Sequence, residues 1–381
     1  MTPVAAPHWS DAPLAWRDQL LGSARFRRWA EAFLPTRWIA RRRAAQVFDL
    51  VAGFVYSQVL LACVQLRLFD LLLAQGALTL DALAPRLQLP LAATERLVLA
   101  AVSLRLLEAR PHGRFGLGPL GAPLAGNAAL AAMVEHHRVL YADLADPLAL
   151  LRGDAGAGRL AGFWPYAGAA APGELPAGQV AAYSALMAAS QPLVAEQVLQ
   201  AYPLQRHRCL LDVGGGDGAF ACAAARHAPA LQVQVFDLPG VAARAALRFE
   251  QAGLASRCSA QGGDFLRDEL PAGADLVSLL RVVHDHDDER VLRLLQAVRR
   301  ALPAHGRLLI AEPLADTPGA QAMGHAYFGF YLLAMGRGQP RSEARLRELL
   351  AQAGFDRVRR LATHQPLQAS VLVAEAGVCP M

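Results

Sequence analysis

The sequence predicts a two-domain α/β protein in which a mostly helical half precedes a mostly parallel, seven-stranded sheet. Residues 1–190 hold long apolar helical stretches with few strand signals, whereas short strands alternate with helices from about residue 205. This alternation is typical of a parallel sheet covered by helices on both faces. A chain of 381 residues exceeds what one hydrophobic core usually serves. We predict an N-terminal arm over 1–43, a helical domain over 44–190 and an α/β domain over 191–381.

The N-terminal arm holds the net charge of the chain. Residues 1–43 contain eight Arg and three acidic residues, which equals the net charge of +5 of the whole protein. Arg interleaved with Trp and Phe is typical of a segment that lies at an anionic lipid surface. We therefore expect a peripheral membrane contact, and a solvated helix face that packs across a dimer is the alternative.

Cysteine use and hydropathy bear on the location of the protein. The chain has five scattered cysteines, at positions 63, 209, 222, 258 and 379. An odd number without CxxC spacing argues against a disulfide framework or a zinc site and indicates a cytoplasmic location. The longest apolar helical stretch, Leu50–Leu66, has 17 residues, whereas a bilayer span needs about 20 residues. We predict that this helix is buried in the protein core.

The elements of the helical half follow in order. A long apolar helix, or a close pair of helices, runs over 48–73. A helix, a turn at Leu-Pro and a second helix come next, with Thr79 or Asp81 as the first N-cap. A hairpin with Gly113 in its turn completes a winged-helix pattern. Residues 153–178 are rich in Gly, Ala and Pro, which predicts an irregular loop or lid.

The sequence pattern of the second half predicts seven strands with helices between them. The strands are RCLLDVG, LQVQVFDL, RCSAQGGD, ADLVSLLRVVH, GRLLIAEPL, FDRVRRLATH and QASVLVAEA. The helices are 217–228, 240–252, 287–302 and, near the end, 320–335 and 342–353. The last two strands are expected to close the sheet.

A glycine-rich turn joins the first of these strands to the first helix. Its letters, DVGGGDGA, begin at Asp212 and fit both the dinucleotide pattern GxGxxG/A and the pattern DxGxGxG of S-adenosylmethionine binders. A pyrophosphate prefers a turn without carboxylates, whereas a sulfonium and an ammonium favour acids nearby. Asp212 and Asp217 therefore indicate a cationic ligand. The glycines against which it would lie are Gly214, Gly216 and Gly218.

Carboxylates also end the next two strands. Asp237 ends the second strand, where it can accept both ribose hydroxyls, and Asp264 ends the third, where it can meet an adenine amine. Ligands of an open parallel sheet bind at the carboxyl ends of its strands. The ordered series of acids therefore favours a nucleoside-containing ligand.

A histidine follows the fourth strand. His284 stands where the cleft opens, and an imidazole suits the removal of a proton from an acceptor hydroxyl. Glu312 ends the fifth strand, 28 residues later, and a neighbouring strand end can bring its carboxylate to the imidazole. Asp285, Asp287 and Asp288 resemble a metal cluster, but a helix that begins at 287 favours acids at its N-terminus. We predict helix capping and no metal.

These motifs together resemble the plant-type, COMT-like family of S-adenosylmethionine-dependent O-methyltransferases. The matching strings, in family order and spacing, are LLDVGGGDGAF, FDLPGV, GGDF, VVHDHDDE and AEPL. The resemblance implies a winged-helix dimerisation domain, a Rossmann-like catalytic domain, a homodimer, and His284 as general base with Glu312 beside it. The cofactor-binding residues that it implies are Asp212, Gly214, Gly216, Gly218, Asp237, Leu238, Asp264, Phe265 and Arg281.

The sequence departs from the family pattern on the acceptor side. The departures are His286 in place of an aromatic residue, Leu280 in place of a Lys, and Pro340 in place of a second flanking acid. Glu343 is a candidate for that acid in a different register. Loss of the aromatic residue and of the acid indicates an acceptor unlike a flat phenol.

The first 75 residues narrow the acceptor further. They resemble those of bacterial 1-hydroxycarotenoid O-methyltransferases, which methylate the tertiary hydroxyl of an acyclic carotenoid, and a soluble phenol or polyketide is the alternative acceptor. A ligand-sensing transcription factor is disfavoured because the expected recognition helix near 91–107 has only Arg96 and Arg105. A dehydrogenase that binds NAD is disfavoured by the acids of the glycine turn.

Overall fold

The computed structural model describes residues 11–154, 158–163, 190–367 and 369–377. The chain divides into two compact units between Gly126 and Asn127. The described helices between 128 and 152, which we assigned to the helical domain, belong to the second unit. The loop or lid expected over 153–178 lies largely outside the described residues, and its described part includes a short helix, Arg159–Phe163.

The first unit has the elements of a winged helix. Its helices are Ala12–Gly22, Ala24–Ala32, Leu34–Gln65, Leu68–Gln75, Leu80–Leu87 and Leu91–Ser103. Its strands β1 (Leu78–Thr79), β2 (Leu107–Arg110) and β3 (Arg114–Leu117) form an antiparallel sheet in the order β1-β3-β2.

Local chemistry explains the start and the turns of this motif. The Thr79 side chain accepts a hydrogen bond from the Ala82 amide, so Thr79 rather than Asp81 is the N-cap. Pro90 precedes the second helix and prevents the first from continuing into it. Gly113 adopts φ of +65° between β2 and β3. These observations confirm the predicted helix, turn, helix and hairpin.

The long helix Leu34–Gln65 is not buried as predicted. Its buried residues are Leu61, Cys63 and Val64, whereas Leu50 and Phe54 expose 85% and 70% of their surface. Hydropathy predicts an apolar helix correctly, but it does not distinguish a face covered by the same chain from one covered by another molecule. By length and composition alone, this helix could cross a membrane, a test that core helices also pass.

The second unit is built on a seven-stranded sheet. Its described helices are Ala128–Asp143, Pro147–Arg152, Arg159–Phe163, 190–201, Ala219–His227, Pro239–Gln251, Asp288–Ala301, Gly329–Met335 and Glu343–Gln352, with a π-helix at Ala322–Phe328. Its strands are β4 (Cys209–Val213), β5 (Gln232–Asp237), β6 (Cys258–Gly262), β7 (Leu276–Leu280), β8 (Arg307–Glu312), β9 (Phe355–Leu361) and β10 (Ser370–Ala376).

The strand order places two strand ends at a topological switch point. The order is β6-β5-β4-β7-β8-β10-β9, with β4 to β8 parallel and β10 antiparallel to β8 and β9. The chain runs outward from β4 through β5 and β6, and then starts again on the other side at β7. Ligands of such sheets bind where the order reverses, so the site is expected beyond β4 and β7.

Hydrophobic clusters cover both faces of the sheet. One cluster includes Phe220 and Phe249, and the other includes Val291 and Leu346. Strands that are covered on both sides read as nearly continuous apolar runs, and four of the five residues of β4 are buried accordingly. The two clusters hold the carboxyl ends of the strands in fixed register.

Candidate active site

The turn after β4 depends on three glycines with positive φ. Gly214, Gly216 and Gly218 have φ of +67°, +63° and +79°, which other residues rarely adopt. A Cβ on Gly214 would lie 2.8 Å from Val282 Cγ2, and one on Gly218 would lie 2.6 Å from Phe249 Cε1. A Cβ on Gly216 would meet no atom of the described residues within 4 Å. Gly216 therefore offers bare backbone to a ligand, whereas the other two allow close packing.

Asp212, in β4, lies beneath this turn. It is 1% exposed, and its Oδ1 accepts a hydrogen bond from Ser278 Oγ at 2.6 Å. Its Oδ2 has no hydrogen-bond partner among the described residues. Burial raises the pKa of Asp212 to about 7, against the opposing effect of the Ser278 hydrogen bond. A cation nearby stabilises such a carboxylate, so the residue fits a ligand that carries a sulfonium and an ammonium.

Asp237, at the end of β5, closes the turn from the other side. Its Oδ2 accepts a hydrogen bond from the Gly216 amide at 2.8 Å and its Oδ1 from the Leu238 amide at 2.7 Å. Burial raises its pKa to about 6, although both backbone hydrogen bonds lower it. Each carboxylate oxygen has a second lone pair, so acceptors remain for the ribose hydroxyls that the sequence predicts here.

Asp217 forms an ion pair within the protein. Its charge was expected to attract a cationic ligand, but its carboxylate pairs with Arg248 of helix Pro239–Gln251. The guanidinium compensates the charge locally. Asp212 and Asp237 therefore stay the predicted ligand-binding carboxylates of this turn.

Asp264 and Phe265 follow β6. Asp264 Oδ1 accepts a hydrogen bond from the Leu266 amide at 2.9 Å, and Arg267 Nε lies 3.6 Å from Oδ2. The Phe265 ring meets His286 edge-on, with 5.5 Å between centroids. Asp264 thus stabilises its own turn, and the adenine contacts of these two residues stay a prediction.

His284 and Glu312 lie at neighbouring strand ends. Leu280 of β7 pairs with Ala311 of β8, so the residues that follow them come together. Glu312 Oε2 contacts His284 Nδ1, and Glu312 Oε1 accepts hydrogen bonds from the Val282 and Val283 amides at 2.9 and 2.7 Å. The parallel register thus brings together the pair that the sequence predicts.

A second carboxylate touches the other ring nitrogen of His284. Asp285 Oδ1 lies 3.2 Å from His284 Nε2, an ion-pair contact without hydrogen-bond alignment. We had assigned Asp285 to helix capping with Asp287 and Asp288. Asp287 does cap, since its Oδ1 accepts a hydrogen bond from the Arg290 amide, but Asp285 stands in the short turn before it. Its position next to the base in sequence was the signal for this role.

Arg341 is a residue of the site that sequence reasoning missed. Its buried guanidinium donates to the carbonyls of Val283 and His286 at 2.8 and 2.7 Å and pairs with Asp288. It therefore holds the turn that carries His284 from both ends. The sequence marks Arg341 only as the residue after Pro340.

The two flanking carboxylates make His284 a stronger base. Burial by itself lowers the pKa of His284, but Asp285 and Glu312 outweigh it and raise the pKa to about 9. The positive charge of Arg281 opposes them. Burial raises the pKa of Asp285 to about 6 against the attraction of His284.

Arg281 and Glu343 have partners that differ from those expected. Arg281, predicted to bind the cofactor, donates to Ser190 Oγ and Gln191 Oε1 at 2.7 Å each and so ties the end of β7 to helix 190–201. Glu343, the candidate second acid, pairs with Arg347 and Arg360 instead of His284. Asp285 is the second acid that the structure brings to the imidazole.

His286 replaces the aromatic residue of the family pattern and behaves as a neutral ring. Burial, with help from Arg290, lowers its pKa to about 4. Its edge-on contact with Phe265 joins the turn of the base to the loop after β6. The substitution therefore keeps a flat, uncharged side chain at this position.

Comparison with known proteins identifies the family of the protein. Residues 141–356 match the family model of the O-methyltransferase domain, and residues 48–126 match that of the O-methyltransferase dimerisation domain. The chain belongs to the O-methyltransferase family. It is 44% identical to the demethylspheroidene O-methyltransferase of Cereibacter sphaeroides over 93% of both chains. It is 41% identical to that of Rhodobacter capsulatus over 89% of this chain and 84% of the relative.

Solved structures agree with this assignment. Human N-acetylserotonin methyltransferase in complex with SAM superposes with a TM-score of 0.71 at 25% identity, over 88% of this chain and 98% of that chain. CalO1, a methyltransferase of calicheamicin biosynthesis in its SAH-bound form, gives 0.71 at 26% identity, over 87% and 98%. The predicted fold is confirmed, and the enzyme is an S-adenosylmethionine-dependent O-methyltransferase.

The glycine turn and its acids fit this methyl donor. When bound, S-adenosylmethionine supplies an electrophilic methyl group. Gly216 would give it bare backbone, the unpartnered Asp212 Oδ2 would balance its positive charge, and Asp237 would accept from its ribose. Direct contacts of each residue with the donor stay a prediction.

Two glycine variants should separate packing from binding. Gly218→Ala forces a Cβ into the Phe249 ring at positive φ, so it should lose roughly 2–4 kcal/mol of unfolding free energy. In Gly216→Ala the added Cβ meets no atom of the described residues within 4 Å, so the unfolding free energy should fall by only about 1–2 kcal/mol, the cost of positive φ. This variant should instead weaken binding of the donor. Urea denaturation and calorimetry with S-adenosylhomocysteine measure the two effects. Equal stability losses would contradict this reading of the turn.

The pH profile should report the two acids beside His284. A general base acts in its neutral form, so kcat should rise with pH and level off near the pKa of about 9. Glu312→Gln and Asp285→Asn each remove a charge that raises this pKa, so the acidic limb of the kcat profile should move to lower pH. Asp287→Asn, which keeps a helix cap, is the control and should leave the limb in place. A shift to higher pH in either test variant would refute the assignment.

Proposed function

We propose that the enzyme transfers a methyl group to the tertiary 1-hydroxyl of an acyclic carotenoid, in spheroidene-type carotenoid biosynthesis, with His284 as general base. The observation that carries the acceptor is the 44% identity, over 93% of both chains, to a demethylspheroidene O-methyltransferase. The observation that supports the base is an imidazole held between two carboxylates at the switch point of the sheet.

Glu312 determines which nitrogen of His284 takes the proton. A carboxylate at Nδ1 stabilises the proton on that nitrogen. Nε2 then carries the lone pair, and since its contact with Asp285 is not a hydrogen bond, this lone pair can accept the proton of the acceptor hydroxyl. The imidazolium that forms lies between Glu312 and Asp285, and both stabilise its charge. The proton would therefore pass from the alcohol to Nε2 as the C–O bond forms and the methyl–sulfur bond of the donor breaks, which leaves S-adenosylhomocysteine.

Alignment has to supply most of the rate acceleration. A tertiary alcohol is a far weaker acid than a phenol, so we expect proton removal to be concerted with attack rather than to precede it. Holding two reactants in line can lower a barrier by roughly 7–11 kcal/mol. The protein contributes to this alignment by fixing the imidazole of His284. Glu312 and Asp285 contact its ring, and Arg341 holds its turn, so that Nε2 keeps one orientation toward the acceptor hydroxyl.

A soluble aromatic acceptor is the second candidate. Mouse acetylserotonin O-methyltransferase is 34% identical over 87% of this chain and 88% of its own length. The base and its acids would serve a phenolic hydroxyl as well. The acceptor therefore has to be decided by turnover.

Turnover with a panel of acceptors tests the proposal. The enzyme should methylate a 1-hydroxylated acyclic carotenoid in detergent and not N-acetylserotonin or simple phenols. His284→Ala should lower kcat by about 10²–10⁴-fold and leave the donor dissociation constant within about twofold. His305→Ala removes an exposed histidine that also pairs with a carboxylate, Glu375, and should leave kcat unchanged. Normal turnover by His284→Ala would exclude this base, and a preference for the phenols would exclude the carotenoid.

We also propose that the N-terminal segment 11–43 lies on an anionic membrane, where a carotenoid is dissolved. Trp29 stacks on Phe33 with 5.0 Å between ring centroids and meets Phe26 in a tilted contact at 5.6 Å, and Trp29 is 51% exposed. Aromatic rings beside Arg are typical of interfacial helices. This surface fits lipid head groups better than water.

Not every arginine of this segment is available to lipid. Arg27 donates to the carbonyls of residues 21 and 22, and Arg37 to those of residues 31 and 32, so both satisfy the ends of preceding helices. Five others have no ion pair or hydrogen bond within the described residues: Arg25, Arg28, Arg41, Arg42 and Arg43. Each of these near an anionic surface contributes about 1 kcal/mol.

A partner other than the membrane would cover the exposed middle of helix Leu34–Gln65. The dimerisation-domain match, residues 48–126, supports a homodimer. We assign the exposed apolar face that includes Phe48, Val51 and Phe54 to the partner protomer. The basic segment before it would then stay free for the membrane.

Sedimentation with vesicles tests the membrane proposal. The enzyme should pellet with vesicles that contain phosphatidylserine and stay in solution with pure phosphatidylcholine. Replacement of Arg25, Arg28, Arg41, Arg42 and Arg43 by Gln should abolish pelleting, since together they contribute about 5 kcal/mol. The control replaces five exposed arginines of the second unit: Arg206, Arg208, Arg226, Arg300 and Arg359. Equal loss of binding by both variants would indicate net charge alone and overturn the proposal.

A further inference from the structure

A π-helix supplies an aromatic ring that contacts His284. Ala322–Phe328 is π-helical and continues as helix Gly329–Met335. Short π-helical turns are rare and often occur at functional sites. Phe328, at the junction, meets the His284 ring edge-on, with 6.0 Å between centroids and 65° between planes. This ring is therefore placed to restrict how the imidazole turns.

The π-helix is held close to the segment that follows Glu312. A Cβ on Gly324 would lie 2.4 Å from Ala315 Cα, so only glycine allows this approach. Gly324 is buried. The backbone that presents Phe328 is thus packed directly against the chain that leaves β8.

Two tyrosine–histidine pairs join this segment to helix Ala128–Asp143. Tyr327 Oη lies 2.7 Å from His137 Nε2, and Tyr331 Oη lies 2.7 Å from His136 Nε2. Burial lowers the pKa of both histidines and raises that of Tyr327 to about 12. Burial therefore favours the neutral forms of both histidines and of Tyr327, which are the forms that join these hydrogen bonds.

The two pairs differ in their contacts with Phe328. The Tyr327 ring meets Phe328 edge-on at 4.9 Å, and Phe328 in turn meets His284. Within the described residues, the ring contacts of Tyr331 are with His136 and Tyr327. A continuous series of contacts therefore runs from His137 through Tyr327 and Phe328 to the base. Tyr331 meets this series at Tyr327, one helical turn further from the base.

We propose that Tyr327 and His137 are positioning residues for the base, because their hydrogen bond holds Phe328 against His284 and so fixes the direction of its Nε2. This inference rests on the proposed function, in which His284 accepts the proton. The charged groups that act on the imidazole are Asp285, Glu312 and Arg281. A ring that turns more freely keeps poorer contact with both carboxylates, so its pKa should fall.

Tyr327→Phe tests the proposal by removing one hydroxyl. We expect kcat on the high-pH plateau to fall about tenfold, a part of the roughly 10²-fold that a 1 Å misplacement can cost, with the KM for the donor unchanged. The acidic limb of the kcat profile should move to lower pH. Tyr331→Phe is the matched control, since it also removes a hydroxyl that binds a histidine. It should lower thermal stability by a similar amount without moving the limb.

A variant of the partner residue and a direct titration complete the test. His137→Gln keeps a hydrogen-bond acceptor and should retain most of kcat, whereas His137→Phe should match Tyr327→Phe and add nothing to it in the double variant. NMR titration of His284 with S-adenosylhomocysteine present reports the base without turnover. If Tyr327→Phe and Tyr331→Phe give the same kcat and the same His284 titration, the pair is structural and the proposal fails. Turnover by His284→Ala would instead refute the proposed function itself.

Discussion

The Glu312 carboxylate is the interaction on which the rest of the site depends. One oxygen accepts the Val282 and Val283 amides, and the other contacts His284 Nδ1. It thus joins the ends of β7 and β8 and fixes the imidazole tautomer at the same time. A glutamine has one acceptor oxygen and one NH2 group, so it would present a donor either to the Nδ1 proton or to the Val282 and Val283 amides. A shorter apolar residue would leave two buried amides unpaired at about 1–3 kcal/mol each. The position of the base and the junction between the ends of β7 and β8 therefore depend on the same side chain.

Charge around the same strand ends determines what the site can bind. Burial raises the pKa of Asp212, Asp237 and Asp285, so each is destabilised as an anion until a positive charge comes near. A pyrophosphate would add to this repulsion, whereas a sulfonium relieves it. The sequence predicted that acids at the glycine turn favour a cationic ligand over a pyrophosphate, and the buried carboxylates of Asp212 and Asp237 support the same preference. One carboxylate, Asp217, leaves the set because Arg248 compensates it.

Sequence reasoning succeeded where a rule of the fold decides the outcome. Strand and helix alternation predicted the seven-stranded sheet, and parallel register predicted that His284 meets Glu312 across 28 residues. It failed where the outcome depends on which side chain arrives from elsewhere, as Arg248 does at Asp217. The burial of helix Leu34–Gln65 was wrong for the same reason, since hydropathy does not say what covers a face. The contact of Tyr327 with a histidine 190 residues away has no sequence signal at all.

The two carboxylates beside His284 make its imidazole a stronger base toward an acceptor hydroxyl. The driving force for proton transfer grows with the pKa of the base, and two carboxylates raise that of His284 to about 9. A phenol, which ionises near pH 10, lies within about one pKa unit of this base, whereas an alcohol that hardly ionises still requires that proton removal be concerted with attack. The cost is that roughly one imidazole in a hundred is neutral at pH 7, given a pKa two units higher. The flanking acids therefore strengthen the base for either class of acceptor, and the identity to known relatives is the observation that favours the tertiary alcohol.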